Sequence, residues 1–154
     1  MADISLQIEG KEELARKMAH LSKAVQTSIA KDAVDEGAAV IQFHAQLNAR
    51  NKFSSRQRGQ LRNSIRVESK TSATGAVAEI SPHTIYARIQ EFGGIIYPRR
   101  ASMLHWKDEN GEDHFAKSVT IPARPYLRPA AEDHIDQISD VMRQAVEDGI
   151  KHNS

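Results

Sequence analysis

At 154 residues the chain has the length of one ordinary domain, and 40% hydrophobic with 27% charged residues describes a folded chain, neither fibrous nor disordered. Its 21 basic and 20 acidic residues leave a net charge of +1, which excludes a global attraction to nucleic acid or membrane and leaves only local charge to act. The absence of cysteine excludes a disulfide framework and thiolate chemistry; aromatics at 5% imply an aliphatic, alanine-rich core that oligomerisation can supplement.

The opening MADISLQIEG carries Asp3 and Glu9 and lacks the regions of a signal peptide. No run approaches the roughly 18 apolar residues of a spanning helix, so a soluble chain is expected. Ile4, Leu6 and Ile8 alternate with polar residues and predict a strand ended by Gly10. Leu14, Met18, Leu21 and Val25 then form the stripe of an amphipathic helix. Ile29, Ala33, Gly37, Val40, Ile41, His44 and Leu47 continue at similar steps; one bent helix or two both fit, with Thr27 and Ser28 available to cap a new start. Residues 51–59 are polar and basic without periodicity and read as a flexible loop.

Leu61, Ile65 and Val67 predict a strand beginning near Ser64, and with the small residues Thr71–Gly75 and the return Ala76–Ser81 it makes a hairpin. His83–Phe92 predicts a short helix with Ile85, Ile89 and Phe92 on one side, terminated by Gly93-Gly94. Residues 95–121 predict a second hairpin. Met103, Leu104 and Trp106 lie on one arm, Phe115, Val119 and Ile121 on the other, and Asp108-Glu109-Asn110-Gly111 supplies the turn. Pro122 and Pro125 stop the ladder, and Pro129 opens a C-terminal helix with the stripe Ile135, Ile138, Val141 or Met142, Ala145 and Ile150. This order, without regular alternation of strand and helix, predicts a single α+β domain over residues 1–154. Its architecture is an antiparallel sheet of four to five strands with long helices on one face and a C-terminal amphipathic helix.

The chain has no Gly-rich phosphate loop, no G-x-S-x-G elbow, no H-E-x-x-H and no paired-cysteine metal signature. His105 and His114, predicted to face each other across the second hairpin with Asp113 nearby, are chemically adequate for zinc and supply the alternative of a metal-dependent hydrolase. Cross-strand polar pairs are also ordinary on surfaces, and no other ligand spacing supports the metal. No catalytic residue, metal ligand or cofactor is therefore assigned. His44 on the helix stripe reads as a packing residue. Glu132, Asp133, Asp136 and Asp140 cluster in the first turns of the last helix, where the helix dipole favours them by about 0.3–1 kcal/mol each at best; contact with a partner is the alternative reading.

One charge asymmetry stands out. No acidic residue occurs between Gly37 and Val67, whereas Arg50, Lys52, Arg56, Arg58, Arg62 and Arg66 do. Such a segment can touch phosphate backbones, meet the acidic face of a neighbouring subunit, or simply be solvated.

Two further segments are distinctive, IYARIQEFGG (Ile85–Gly94) and VTIPARPYLRPA (Val119–Ala130). Gly93-Gly94 permits left-handed geometry or close backbone approach. The prolines of the second segment fix an extended entry from which Tyr126 and Leu127 insert as apolar anchors, and Arg124 is poised for a bidentate pair with a carboxylate such as Glu91. These segments resemble the YA-x-x-x-EFG and IPARPFL-x-P segments of the phage virion-morphogenesis and tail-completion proteins of long-tailed phages and prophages, Mu-like ones included. Tyr126 stands where that pattern has phenylalanine. A G-x-L-x-x-S-I pattern at Gly59, Leu61, Ser64 and Ile65 also matches. The resemblance runs from Gly59 to the end, with the upstream helices agreeing in character only. The basic 51–58 segment and the 108–113 turn have no counterpart in it.

The resemblance implies a non-enzymatic structural protein of the virion, made in the host cytoplasm, that completes the tail or joins it to the head at the neck. It implies stoichiometric assembly as a homo-oligomeric ring, a hexamer, with tail-tube and head–tail connector proteins as partners. The basic Arg50–Arg66 segment adds a passing contact with phage DNA, or the alternative of a nucleic-acid-contacting protein; neither cofactor nor membrane is expected. The candidate interface residues are Tyr86, Glu91, Phe92, Gly93, Gly94, Arg124, Pro125, Tyr126, Leu127 and Arg128. The candidate contacts for DNA or an acidic partner are Arg50, Lys52, Arg56, Arg58 and Arg62.

Overall fold

The computed structural model describes residues 11–52, 55–72, 75–108 and 110–153, with the side chains of residues 52 and 55–58 undescribed. The strand expected at Ile4–Ile8 lies outside these residues. The chain divides into two compact units, one of Met1–Thr84 with Tyr126–Ser154 and one of Ile85–Pro125. The second takes in the whole 95–121 hairpin segment.

The first unit begins with helix α1 (Lys11–Met18) and the long helix α2 (Lys23–Lys52). The break between them falls at Ala19–Ser22, earlier than Thr27 and Ser28. Ser22 Oγ accepts the N–H of Val25, and the Gln26 side chain donates to the carbonyls of Met18 and Leu21 at 2.9 Å each, satisfying the end of α1. Thr27 is interior to α2, its hydroxyl bonded back to Lys23 O. Leu14, Ile29 and Ile150 form a small core cluster, with Met18, Leu21, Val25 and Val146 packed on it.

Helix α2 runs antiparallel to the C-terminal segment, which is two helices, α5 (Leu127–Glu132) and α6 (Ile135–Asn153), where one was expected from Pro129. Asp133, at φ −79° and ψ −8°, ends α5 and turns the chain before α6 starts. Contacts fix the register. Ile29 lies against Gly149, Gly37 against Met142 and Ile138, His44 against His134 and Gln137, and Asn48 against Tyr126. The buried side of α2 is made of Ile29, Ala33, Gly37, Ala38, Ala45 and Ala49. Small residues let the helices approach closely, so Leu47, expected on the core stripe, is displaced outward and is exposed.

The expected 51–59 loop is mostly helix. α2 continues through Lys52, and α3 (Ser55–Ser64) follows. Arg, Gln and Leu are good helix formers, and α3 carries little apolar periodicity because Leu61, fully buried, is its main anchor. Strands β1 (Ile65–Ser72) and β2 (Gly75–Pro82) form the first hairpin, in register from Ile65↔Pro82 to Ser72↔Gly75. Ile65 is buried and Val67 and Ser69 are half-buried, whereas Arg66, Glu68 and Lys70 alternate outward. The hairpin packs on α2, where Ser69 donates its hydroxyl to Asp35, itself paired with Lys31.

The second unit contains helix α4 (Ala87–Phe92) and strands β3 (Gly94–Ile96), β4 (Leu104–Lys107), β5 (Asp113–Ala116) and β6 (Val119–Ile121). β3 pairs with β6 and β4 with β5, both antiparallel. The α+β class with long helices is as expected from the sequence. The strands among the described residues, however, pair as three two-stranded ribbons in place of one sheet of four to five. The ribbons of this unit are three or four residues long, and Pro98, which has no N–H to give a ladder, sits between β3 and β4. No helix among the described residues is long and apolar enough to cross a membrane.

Candidate functional site

The two segments that carried the resemblance meet within the second unit. α4 ends at Gly93, whose N–H bonds Ile89 O at 2.9 Å and whose φ of 68° and ψ of −176° suit glycine alone. A Cβ at Gly93 would stand 2.7 Å from Ala123 N and 2.9 Å from Ile121 O, so the EFGG corner lies directly on the IPAR main chain. Gly94 then pairs with Ile121, and the Arg124 N–H donates to Gln90 O at 2.8 Å. Backbone contacts thus join the two motifs.

The interface candidates divide by exposure. Phe92, at 65%, and Gly94, Arg124 and Arg128 are exposed; Tyr86, Gly93, Pro125 and Leu127 are half-buried. Arg128 lies 3.8 Å from Glu132, one helical turn on. Glu91 is buried, and so is Tyr126, at 1%, with Asn48 Nδ2 donating to its carbonyl at 3.1 Å. Tyr126 is therefore a core residue of the first unit, in keeping with the apolar anchor read from the sequence, which corrects its assignment to a docking surface.

Exposed apolar residues continue along the second unit, among them Ile85, Ile95, Tyr97, Trp106 and Phe115. Among the described residues between Ile85 and Pro125 no large apolar one is fully buried; the buried positions are Ala87, Gln90 and Glu91. The first unit adds a second patch that the sequence pattern did not reveal. Phe43, 62% exposed, and Leu47, 39% exposed, lie one turn apart on α2.

In the β4–β5 hairpin the expected pairing of His105 with His114 is corrected by one residue of register. His105 lies opposite Phe115 and Trp106 opposite His114. Because side chains alternate, the two imidazoles occupy opposite faces of the ribbon and cannot share an ion. Each instead stacks on its aromatic partner and bonds an aspartate. His105 takes Asp113 at 2.6 Å, and His114 takes Asp108 at 3.1 Å.

Asp108 also accepts the N–H groups of Asn110 and Glu112, and Gly111 adopts φ +85° to close the turn. The His114 bond, then the main-chain N–H groups, hold the Asp108 carboxyl below the usual carboxylate range. Asp108, Glu112 and His114 could gather around a cation, but Asp108 already has both oxygens engaged in shaping the tip. His44 is half-buried, its ring stacked on that of His134 at 3.4 Å, a packing role as the helix stripe implied.

Of the basic candidates, Arg50 is exposed near the end of α2 and Arg62 in the last turn of α3; Lys52, Arg56 and Arg58 belong to these helices, their side chains outside the described residues. Arg62 and Arg66 border an open groove of about 670 Å³ with Gln42, Gln46 and Asn63. Of the acidic cluster, Glu132 ends α5, Asp133 caps it, Asp136 lies in the first turn of α6 and Asp140 pairs with Arg143.

No curated protein and no solved structure matches this chain. A family model does, the one described as "Bacteriophage HK97-gp10, putative tail-component", over residues 12–93. The match takes in α1 through α4 and ends at Gly93. It includes the Gly59–Ile65 and Tyr86–Gly93 segments and more of the N-terminal helices than the motif resemblance did, while IPARPYLRP lies beyond it. The chain belongs to the HK97-gp10-like family of bacteriophage tail components.

Proposed function

We propose that this tail component is a subunit of a homo-oligomeric ring, a hexamer, which completes the tail or joins it to the head connector by stoichiometric assembly without catalysis. The observation that carries the proposal is the second unit, whose large apolar residues are all partly or fully exposed. Short two-stranded ribbons are marginal alone, and an uncovered apolar surface of this kind marks a protein contact. A ring requires two different complementary patches on each subunit. Phe92 and Ile95 at the base of the second unit offer one, and Phe43 with Leu47 on α2 offers the other. Exposed Arg124 adds a charge to the first patch's own unit.

Native mass spectrometry of the full chain tests this arrangement. Wild type is expected as a closed oligomer, and either Phe92→Ser with Ile95→Ser or Phe43→Ser with Leu47→Ser as a monomer. Mixing the two variants should restore dimers, because one intact arm then meets one intact helix face. Wild type that stays monomeric at every concentration, or a variant that keeps the full oligomer, would overturn the proposal.

A further inference from the structure

We infer that the groove between α2, the end of α3 and β1 binds the phosphodiester backbone of duplex nucleic acid, without reading its bases. None of the residues assigned to the ring contacts lines the groove, although Gln42 and Gln46 neighbour Phe43 and Leu47 on α2. Its walls are hydrogen-bond donors: the guanidinium groups of Arg62 and Arg66 and the amides of Gln42, Gln46 and Asn63. Gln42 donates to Ile65 O at 2.9 Å, which fixes its amide in place while leaving a second N–H available.

Among the described residues no carboxylate pairs with Arg62 or Arg66. The acidic groups nearest in register, Glu68 and Glu79, oppose each other one alternate step beyond Arg66 and do not line the groove. Along α2, Arg50 continues the row of Gln42 and Gln46 at four-residue intervals, about 6 Å per step. The dipole of α3 accounts for a cation at Arg62, but neither for Arg66 on a strand nor for the amides.

The chemistry selects the ligand. An open groove lined by cationic and amide donors, with Gln42 held in place, suits a continuous chain of phosphates, since such contacts hold the backbone and carry no sequence information. A protein partner would want a buried aromatic or aliphatic anchor at its centre. Here the apolar lining is Ile65, already buried within the subunit, and half-buried Val67.

The test is fluorescence anisotropy of a labelled random-sequence duplex with the full chain, between about 50 and 200 mM salt. Wild type is expected to bind at the low end. Arg62→Gln with Arg66→Gln should flatten the slope of log affinity against log salt by about 1.8, so that wild type loses roughly twelve-fold more affinity than the variant across that range. Gln46→Lys should steepen the slope by about 0.9, a gain that misfolding cannot imitate. Arg99→Gln, in the other unit, should leave it unchanged. The inference falls if wild type shows no binding at low salt, if neither groove variant moves the slope, or if polyglutamate of equal charge competes as well as the duplex, which would assign the groove to an acidic protein.

Discussion

Replacing Gly93 with alanine should open the β3–β6 ribbon while leaving the helical unit folded. Two terms set the size of the effect. Backbone at φ 68° and ψ −176° is essentially restricted to glycine, and holding alanine there costs about 1–3 kcal/mol. The new methyl would also press on Ala123 N at 2.7 Å and Ile121 O at 2.9 Å, main-chain atoms with no flexible end to yield, for roughly another 1–3 kcal/mol. Against this stand three residue pairs of β3–β6 and the bond from Arg124 N–H to Gln90 O, each hydrogen bond contributing about 1 kcal/mol net.

With no large buried side chain in the unit to resist, separation of the ribbon relieves both penalties. Hydrogen exchange reads the result directly. Amides across Gly94–Ile96 and Val119–Ile121 should exchange at least about thirty-fold faster, the equivalent of 2 kcal/mol, while those of α2 and α6 keep their protection. Gly94→Ala should do less, because its Cβ would meet Ile89 Cγ1 at an ordinary 3.6 Å and only the strain at φ +151° remains. Unchanged protection in a folded Gly93→Ala protein would refute the close approach of the two segments.

Gly59→Ala, inside α3 with nothing within 4 Å of the added carbon, should raise stability by up to about 1 kcal/mol and the melting temperature by roughly 2–4 °C; a lowered melting temperature would mean that Gly59 is not helical. Tyr126→Ala should lower the unfolding free energy by about 3–5 kcal/mol in urea titration. Oligomer loss at unchanged subunit stability would instead return Tyr126 to the surface. Asp108, held below its ordinary value in the fold, contributes order to the hairpin tip that is complete above the usual carboxylate range and is lost as pH falls through the depressed value. The N–H resonances of Asn110 and Glu112 should therefore titrate with a midpoint below that range, and a midpoint within or above it would show that the bonds to Asp108 do not persist.

The sequence was most legible where a local signal had a local cause. The alternation from Ile65 to Ser81 and the Asp108–Gly111 turn placed two hairpins, because strand period and turn chemistry are properties of adjacent residues. α3 was not legible, since a polar helix held mainly by Leu61 has hardly any stripe to find. Leu47 was placed on the wrong side of α2 for the opposite reason. The core face there is written in alanine and glycine, residues too small to register as apolar anchors. The His105–His114 pairing failed by one residue, an error the composition of the two arms does not prevent and which moves an imidazole to the other face. Within the candidate site the two segments were expected to join through Arg124 and Glu91, whereas the approach of Gly93 to Ile121 and Ala123 is a main-chain contact that side-chain chemistry does not announce. The burial of Tyr126, whose carbonyl is held by Asn48, depends on a helix far earlier in the chain.

The seam between α2 and α6 constrains how the protein can vary. A methyl added at Gly149 would occupy the space of the Ile29 γ carbons, at 2.8 and 3.0 Å, and one at Gly37 would fall on Met142 at 2.8 Å. Methionine can bend away, whereas buried β-branched isoleucine cannot. Positions 29 and 149 should therefore drift in concert, a larger residue on one helix matched by a smaller one across from it, while 37 is coupled less tightly, its added carbon meeting flexible Met142 first and Ile138 only at 3.4 Å.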